Sequence, residues 1–333
     1  MAAVLRKLIV AVVYGLMTNN ALTAASAFDL QGHRGARGLA PENTLEGFAA
    51  ALRIGVDTLE LDVGMTRDGV LVVHHDTALN ADIARKPDGR YLDAPGLALY
   101  SLPLAEIRRY DVGRIKPGSP YARRFPEQQG MDGVRVPTLA EVFELVRRAG
   151  ADHIRFNIET KLTPTSGADA PDPDKFARAV VEEIRKAGVA ERTSVQSFDW
   201  RTLAAVRQIA PEITRVCLST QQPDEDTIGR GKPGLSPWTA GLDVDEHGGS
   251  TPKLVAAFGC PVWSPNFRDL SAALLDEARS LGLRVIPWTV NEAGDMERLL
   301  DRRVHGIITD YPDRLRSIMA AKEMPLPPPV GLP

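Results

Sequence analysis

The feature that most constrains the fold is an alternation. Eight short runs end in polar, chemically capable residues: 28–33, 58–63, 154–161, 193–198, 214–219, 261–266, 284–290 and 306–309. Helical patterns lie between most of them. "ENTLEGFAAALRIG" carries apolar residues at helical spacing and stops at Gly55. "PTLAEVFELVRRAG" offers Thr138 and Glu141 as a capping box and Gly150 as a stop. Strands regularly separated by helices argue for a parallel sheet, and eight such strands close a (β/α)8 TIM barrel. In a barrel of this kind function gathers where strands end. The residues there are His33 and Arg34, Glu60 and Asp62, Glu159 and Lys161, Gln196, Asn266, Trp288 and Asp310.

Three segments break the rhythm. Residues 1–27 carry Arg6 and Lys7, the apolar run Leu8 to Met17, and Ala25-Ser26-Ala27 before the first strand. This reads as a cleavable signal peptide, its apolar run about half of the roughly 20 residues a membrane span needs. The expected location is the periplasm or the medium. Removing the leader takes the net charge from -3 to -5, which argues against nucleic acid as a partner. No Cys stands near the cleavage site, and no other stretch could span a bilayer, so no stable membrane anchor is expected. The second segment, about 78–136, reads as an insert after the second strand. Without it the barrel, residues 28–320, has the usual size of roughly 250 residues. The third, 221–252, reads as a long irregular connection of the kind that caps a site. The Pro-rich end, 321–333, reads as a poorly ordered tail.

Two cysteines are present, Cys217 and Cys260. An oxidising compartment permits a bridge, but both lie in apolar strand-like runs, where buried free thiols are the plainer expectation.

In "TLELDVG" alternation turns Glu60 and Asp62 to one side of a strand and Leu59, Leu61 and Val63 to the other. Two carboxylates inside a barrel repel each other and lose solvation, so something positive must hold them. Glu159, in "RFNIETK", ends the following strand. Three carboxylates without Cys suit a hard divalent cation, Mg or Ca; ordinary salt bridges, such as Glu159 with Lys161, are the alternative. "VLVVHHDT" puts His74 and His75 at a strand end, and only one can share the site with His33. His153 and His305 fall at strand starts and His247 in a loop, which are structural positions. Arg34 and Lys161 suit an oxyanion. Cations, acids and two histidines at one spot describe phosphoryl transfer or phosphodiester cleavage. "GRGKPG" fails as a phosphate loop because Pro233 stands where Ser or Thr is needed, and H-E-x-x-H, G-x-S-x-G and C-x-x-C are absent.

The segments "HRG", "PENT", "ELDV", "DGVLVVHHD", "NIETK", "QSF", "WTVN" and "GIITDYP" occur in the order found in glycerophosphodiester phosphodiesterases, and from about residue 29 to 318 the chain resembles that family. The resemblance implies a metal-dependent barrel hydrolase that cleaves small-molecule glycerophosphodiesters to glycerol 3-phosphate and an alcohol. It implies His33 and His75 as the acid/base pair, Arg34 and Lys161 as phosphate contacts, and Glu60, Asp62 and Glu159 as ligands of Ca or Mg. Trp288 resembles the aromatic wall of the glycerol pocket, or else fills the barrel. Glu42 and Asn43 lie near the site, although Asn43 with Glu46 also makes a helix N-cap pair. The insert matches the family's cap subdomain. The first nucleophile is water or the glycerol 2-hydroxyl; headgroup and oligomeric state are left open. Two rivals stand beside this reading: a related barrel phospholipase, D-like or phosphatidylinositol-specific, and an inactive secreted binding protein.

Overall fold

The computed structural model describes residues 28–331, so the leader at 1–27 lies outside the described residues. In chain order the elements are β1 (Asp29–Gly32), α1 (Leu45–Ile54), β2 (Thr58–Met65), β3 (Leu71–Val73), α2 (Leu104–Ile107), α3 (Pro120–Arg124), α4 (Leu139–Arg148), β4 (Arg155–Thr160), α5 (Pro173–Lys186), β5 (Thr193–Ser197), α6 (Trp200–Ile209), β6 (Thr214–Ser219), the small hairpin β7 (Gln221–Gln222) and β8 (Glu225–Asp226), α7 (Thr251–Phe258), β9 (Val262–Pro265), α8 (Ala272–Ser280), β10 (Arg284–Val285), α9 (Ala293–Asp301), β11 (Gly306–Thr309) and α10 (Pro312–Ala321).

Eight of these strands run parallel in the order β10-β9-β6-β5-β4-β2-β1-β11. The seam between the two ends is bridged by backbone hydrogen bonds. His305 N–H donates to Val285 O at 2.9 Å, Ile308 N–H to Pro287 O at 3.0 Å and Val290 N–H to Ile308 O at 3.0 Å. The result is the nearly closed TIM barrel the alternation predicts. Leu59, Leu61 and Val63 of β2 are fully buried against the surrounding helices. The barrel interior is unusually polar. Gln31 donates to Asp29, Asn157 donates to both Gln31 and Gln196, and Gln196 donates to Glu60, at 2.7–3.0 Å throughout. Each amide satisfies its neighbour, so a buried row of polar groups carries no unpaired penalty.

β3 turns back antiparallel on β2, and the segment from 78 to 136 leaves after it. That segment builds its own apolar cluster from residues that include Leu79, Leu99, Ile107, Val112 and Val134. The capping box at α4 forms as expected: Thr138 accepts from Glu141 N–H while Glu141 accepts from Thr138 N–H.

Three expectations are corrected. The N-cap of α1 is Thr44, whose hydroxyl accepts from Gly47 N–H, and not Asn43. Asn43 takes φ +52, the left-handed region that Asn tolerates, and this turns its amide inward. Cys217 and Cys260 are disulfide-bonded rather than free; the sulfurs meet because Cys260 lies two residues before β9, the strand paired with β6. The Pro-rich end, as far as residue 331, is packed rather than loose. Val330 N–H donates to Leu52 O at 2.9 Å, its side chain is buried, and Arg316 donates to Pro327 O and Gly55 O. Fixed proline φ angles lower the entropy lost when such a segment docks.

Candidate active site

The loop after β1 is shaped by glycine. A Cβ on Gly32 would stand 2.2 Å from Gly35 O, and Gly35 itself has φ +88 with Gly47 backbone 2.6 Å from its Cβ position. This compression folds the loop over the barrel mouth and brings His33, Arg34 and Arg37 to one place. Arg34 also adopts a left-handed φ of +50, and its N–H donates to Glu60 Oε2 at 2.9 Å.

A cavity of about 320 Å³ opens at the C-terminal ends of the strands, with His33, Arg34, Glu60, His75, Glu159 and Lys161 in its wall. Glu60, Asp62 and Glu159 each place a carboxylate oxygen within 4.8 Å of the others. Register explains the meeting: Asp62 of β2 pairs with Glu159 of β4, and Glu60 is two residues back on the same face. All three are buried. Burial and then the charges of Asp62 and Glu159 push Glu60 well above the usual carboxylate range. Burial likewise pushes Glu159 up to about 7, with Lys161 opposing and Asp62 adding. Asp62 behaves oppositely: burial would raise it, but Arg34, His75 and Lys161 hold it well below. Its Oδ1 is buried without a hydrogen-bond partner. Three all-oxygen donors, two of them crowded enough to resist ionisation and the third with an orphaned oxygen, fit a hard divalent cation.

His33 is fixed from behind. Its Nδ1 lies 2.7 Å from Asp310 Oδ1, and Arg37 Nε and Nη2 donate to the same carboxylate at 2.6 and 3.0 Å. Asn291 Nδ2 adds a fourth bond at 2.7 Å. Burial would raise Asp310, but Arg37 and His33 outweigh it and hold it well below its ordinary value. An ionised carboxylate only accepts, so Nδ1 carries the proton and Nε2 keeps its lone pair. Burial, then the Arg37 charge, pushes the His33 ring down to about 4. His75 repeats the device: Nδ1 lies 2.6 Å from Asp76 Oδ1, and Asn80 holds the other carboxylate oxygen at 2.7 Å. Enclosure, with Arg34 and Lys161 nearby, keeps this ring well below its ordinary value. His74 turns away and is buried, its Nδ1 engaged by the backbone of Asp76.

Arg34 Nη1 donates to Glu42 at 2.8 Å and its Nε lies 3.2 Å from Asp62. Asn43 donates to Asp62 Oδ2 at 2.9 Å. Lys161 donates to Glu159 at 2.6 Å, the ion pair foreseen as the alternative to a metal, and lies 3.8 Å from Asp62. Trp288 forms part of the cavity wall, edge-to-face with Phe198 at 5.2 Å, and its indole N–H donates to Ser264 O. The structure therefore brings all ten candidate residues to one end of the barrel.

It also adds residues that sequence reasoning did not assign. Asp310 and Gln196 stand out in the sequence only as strand-end polar groups, yet they orient His33 and Glu60. Arg37 lies in the same glycine-rich loop, but nothing in its spacing names its partner. Tyr121 comes from the insertion: its hydroxyl donates to Glu42 and accepts from Arg37 at 3.4 Å.

Paired cations for an anionic ester, clustered acids and two oriented imidazoles at a barrel mouth define a phosphoric diester hydrolase. The comparisons with known proteins agree. The model of the glycerophosphoryl diester phosphodiesterase family matches residues 33–314. The chain is 30% identical over 289 residues to a glycerophosphodiester phosphodiesterase of Caldanaerobacter subterraneus subsp. tengcongensis, covering 86% of this chain and 96% of the relative. A crystal structure from Silicibacter pomeroyi, assigned to a glycerophosphoryl diester phosphodiesterase, superposes with a TM-score of 0.79 at 37% identity, covering 90% and 95% of the two chains. An Oleispira antarctica phosphodiesterase, solved with sn-glycerol-3-phosphate, shares the fold at TM-score 0.63 and 22% identity over 88% of this chain and 96% of its own. The chain belongs to the glycerophosphoryl diester phosphodiesterase family. This favours the phosphodiesterase reading over a barrel phospholipase or an inactive binding protein.

Proposed function

We propose that this enzyme hydrolyses glycerophosphodiesters to glycerol 3-phosphate and an alcohol, with His33 and His75 as the proton-transfer pair and a divalent cation, Ca or Mg, held by Glu60, Asp62 and Glu159. The observation that carries it is the convergence of those three carboxylates within 4.8 Å, with Glu60 and Glu159 in the wall of the cavity that both imidazoles line.

The cation, when bound, would neutralise charge growing on the phosphate oxygens. The chain's own groups do the rest. Arg34 and Lys161 face the cavity and offer N–H donors to the phosphodiester anion. His33 Nε2, its lone pair held ready by Asp310, takes the proton from the attacking hydroxyl, whether of water or of the glycerol 2-position. His75 gives a proton to the departing alcohol. Burial and, after it, the Arg34 and Lys161 charges keep His75 neutral; the bound phosphodiester offsets those charges, so substrate binding itself raises the basicity of that ring. Trp288 and Phe198 wall the glycerol. Glu42 and Asn43 hold Arg34 and Asp62. The insertion from about 78 to 136 acts as the cap, since its Tyr121 and Arg124 line the same cavity.

An exported location is supported by the leader sequence and by the Cys217–Cys260 bridge, which suits an oxidising compartment. Among the described residues no helix is long and apolar enough to cross a membrane. The test is a panel of water-soluble glycerophosphodiesters with and without chelator, on the wild type, His33→Gln and His75→Gln. Chelator-sensitive release of glycerol 3-phosphate, lost in both variants, is expected. Wild-type rates in either variant would contradict its role.

A further inference from the structure

The cavity holds one more charge than the reaction above uses. Arg124 ends α3 in the insertion and lines the same wall as the two histidines. The other lining cations are committed: Arg34 to Glu42 and Asp62, Arg37 to Asp310, Lys161 to Glu159. Among the described residues Arg124 has no carboxylate partner and donates no hydrogen bond. It is nevertheless mounted. Its guanidinium lies 5.7 Å from the Tyr121 ring and 5.6 Å from the Phe125 ring. Phe125 is buried, with Arg37 4.6 Å over its ring, and Tyr121 is tied to Glu42. Asp76, which lines the same cavity, has its two oxygens engaged by His75 and Asn80 and makes no ion pair with Arg124 among the described residues.

We propose that Arg124 is a specificity-determining residue: it makes the enzyme prefer glycerophosphodiesters whose leaving alcohol carries an additional anionic group over those with a cationic headgroup. The inference rests on the proposed function and names the substrate class for that same site. The charge is exposed, so it acts through wet solvent, where a unit charge at about 4 Å shifts binding roughly fivefold to tenfold. Salt screens such an effect.

The experiment compares kcat/KM on glycerophosphoinositol 4-phosphate, glycerophosphoinositol and glycerophosphocholine, at low salt and in 0.5 M NaCl. The first two differ only by a phosphate on the leaving alcohol. The wild type should favour the phosphorylated substrate over its neutral parent by roughly fivefold to tenfold, with the choline ester slowest, and salt should shrink the gap. Arg124→Gln should bring the ratio of phosphorylated to neutral substrate close to one. Arg124→Lys should keep part of it, and Arg123→Gln, whose side chain donates to Gly118 O outside the cavity, should keep all of it. Turnover with the same ratio in wild type and Arg124→Gln, or a preference for the choline ester, would overturn this inference alone. No turnover of any of the three would overturn the proposed function, and this inference with it.

Discussion

Asp310→Asn tests how the proposed base, His33, is built. Asp310 accepts from His33 Nδ1, from Arg37 twice and from Asn291, and it is fully buried. The amide keeps the shape and loses the charge. Two losses follow. The charge-assisted bond to His33 is worth about 1.5–3 kcal/mol. The Asn amino group can also donate to Nδ1, which favours the tautomer with Nε2 protonated and unable to take a proton. Together these reach about 4 kcal/mol, near a thousandfold in kcat/KM. Separately, Arg37, 5% exposed, is left as an uncompensated buried charge, costing about 3–5 kcal/mol of folding stability. Steady-state kinetics and urea unfolding measure the two losses independently. Adding Arg37→Met removes the orphaned charge, so the double variant should regain most of the stability and none of the activity. A folded Asp310→Asn enzyme within tenfold of wild-type kcat/KM would refute this reasoning. So would a double variant whose activity returned with its stability.

Other outcomes follow from the same structure. Tyr121→Phe leaves Glu42 to Arg34 alone, drawing that guanidinium away from the phosphate; KM should rise several-fold and stability fall by about 1–2 kcal/mol, and unchanged kinetics would speak against a role for the insertion. Replacing Cys260 by Ser opens a covalent loop with a sequence separation of 43, which by chain entropy costs ~4 kcal/mol; equal denaturant midpoints for the oxidised wild type and the variant would contradict it. The metal-free protein should show opposed pH slopes. His33, lowered to about 4, binds fewer protons folded than unfolded, so its contribution rises from pH 4 and is complete above about 6.5. Glu159, raised to about 7, binds more protons folded, so stability falls as pH climbs through 7. Between about pH 6.5 and 7 the falling slope of Glu159 stands alone of these two, and Glu60, held well above the carboxylate range, adds to it in the same direction; adding Ca or Mg should abolish the fall, and a flat metal-free profile from about 6.5 to 7 would count against the crowded-carboxylate account.

Much of this was legible in the chain because barrel strands carry their chemistry at fixed positions. Alternation alone put Glu60 and Asp62 on one face, and strand order put Glu159 beside them. His33 and Arg34 followed from a glycine-dense loop, which needs a reason to exist. The residues that tune those groups were not legible. Asp310 lies 277 positions from His33, and only barrel closure brings β11 beside β1. Tyr121 sits in an insertion with no periodicity to say which way it faces. Asn43 looked like a cap because the capping pattern is local; its positive φ, set by the loop, sends it to Asp62 instead. The disulfide depended on β6 and β9 being neighbours across a long connection, which spacing does not encode.

The most direct test is calorimetric titration of Ca or Mg into chelator-treated protein near pH 7, repeated in buffers of different ionisation enthalpy. One ion should bind per chain with release of protons, because the cation favours the ionised forms of Glu60 and Glu159, and Asp62→Asn should weaken binding by at least a hundredfold. A protein that binds no ion, or binds it equally well without the Asp62 carboxylate, would contradict the account.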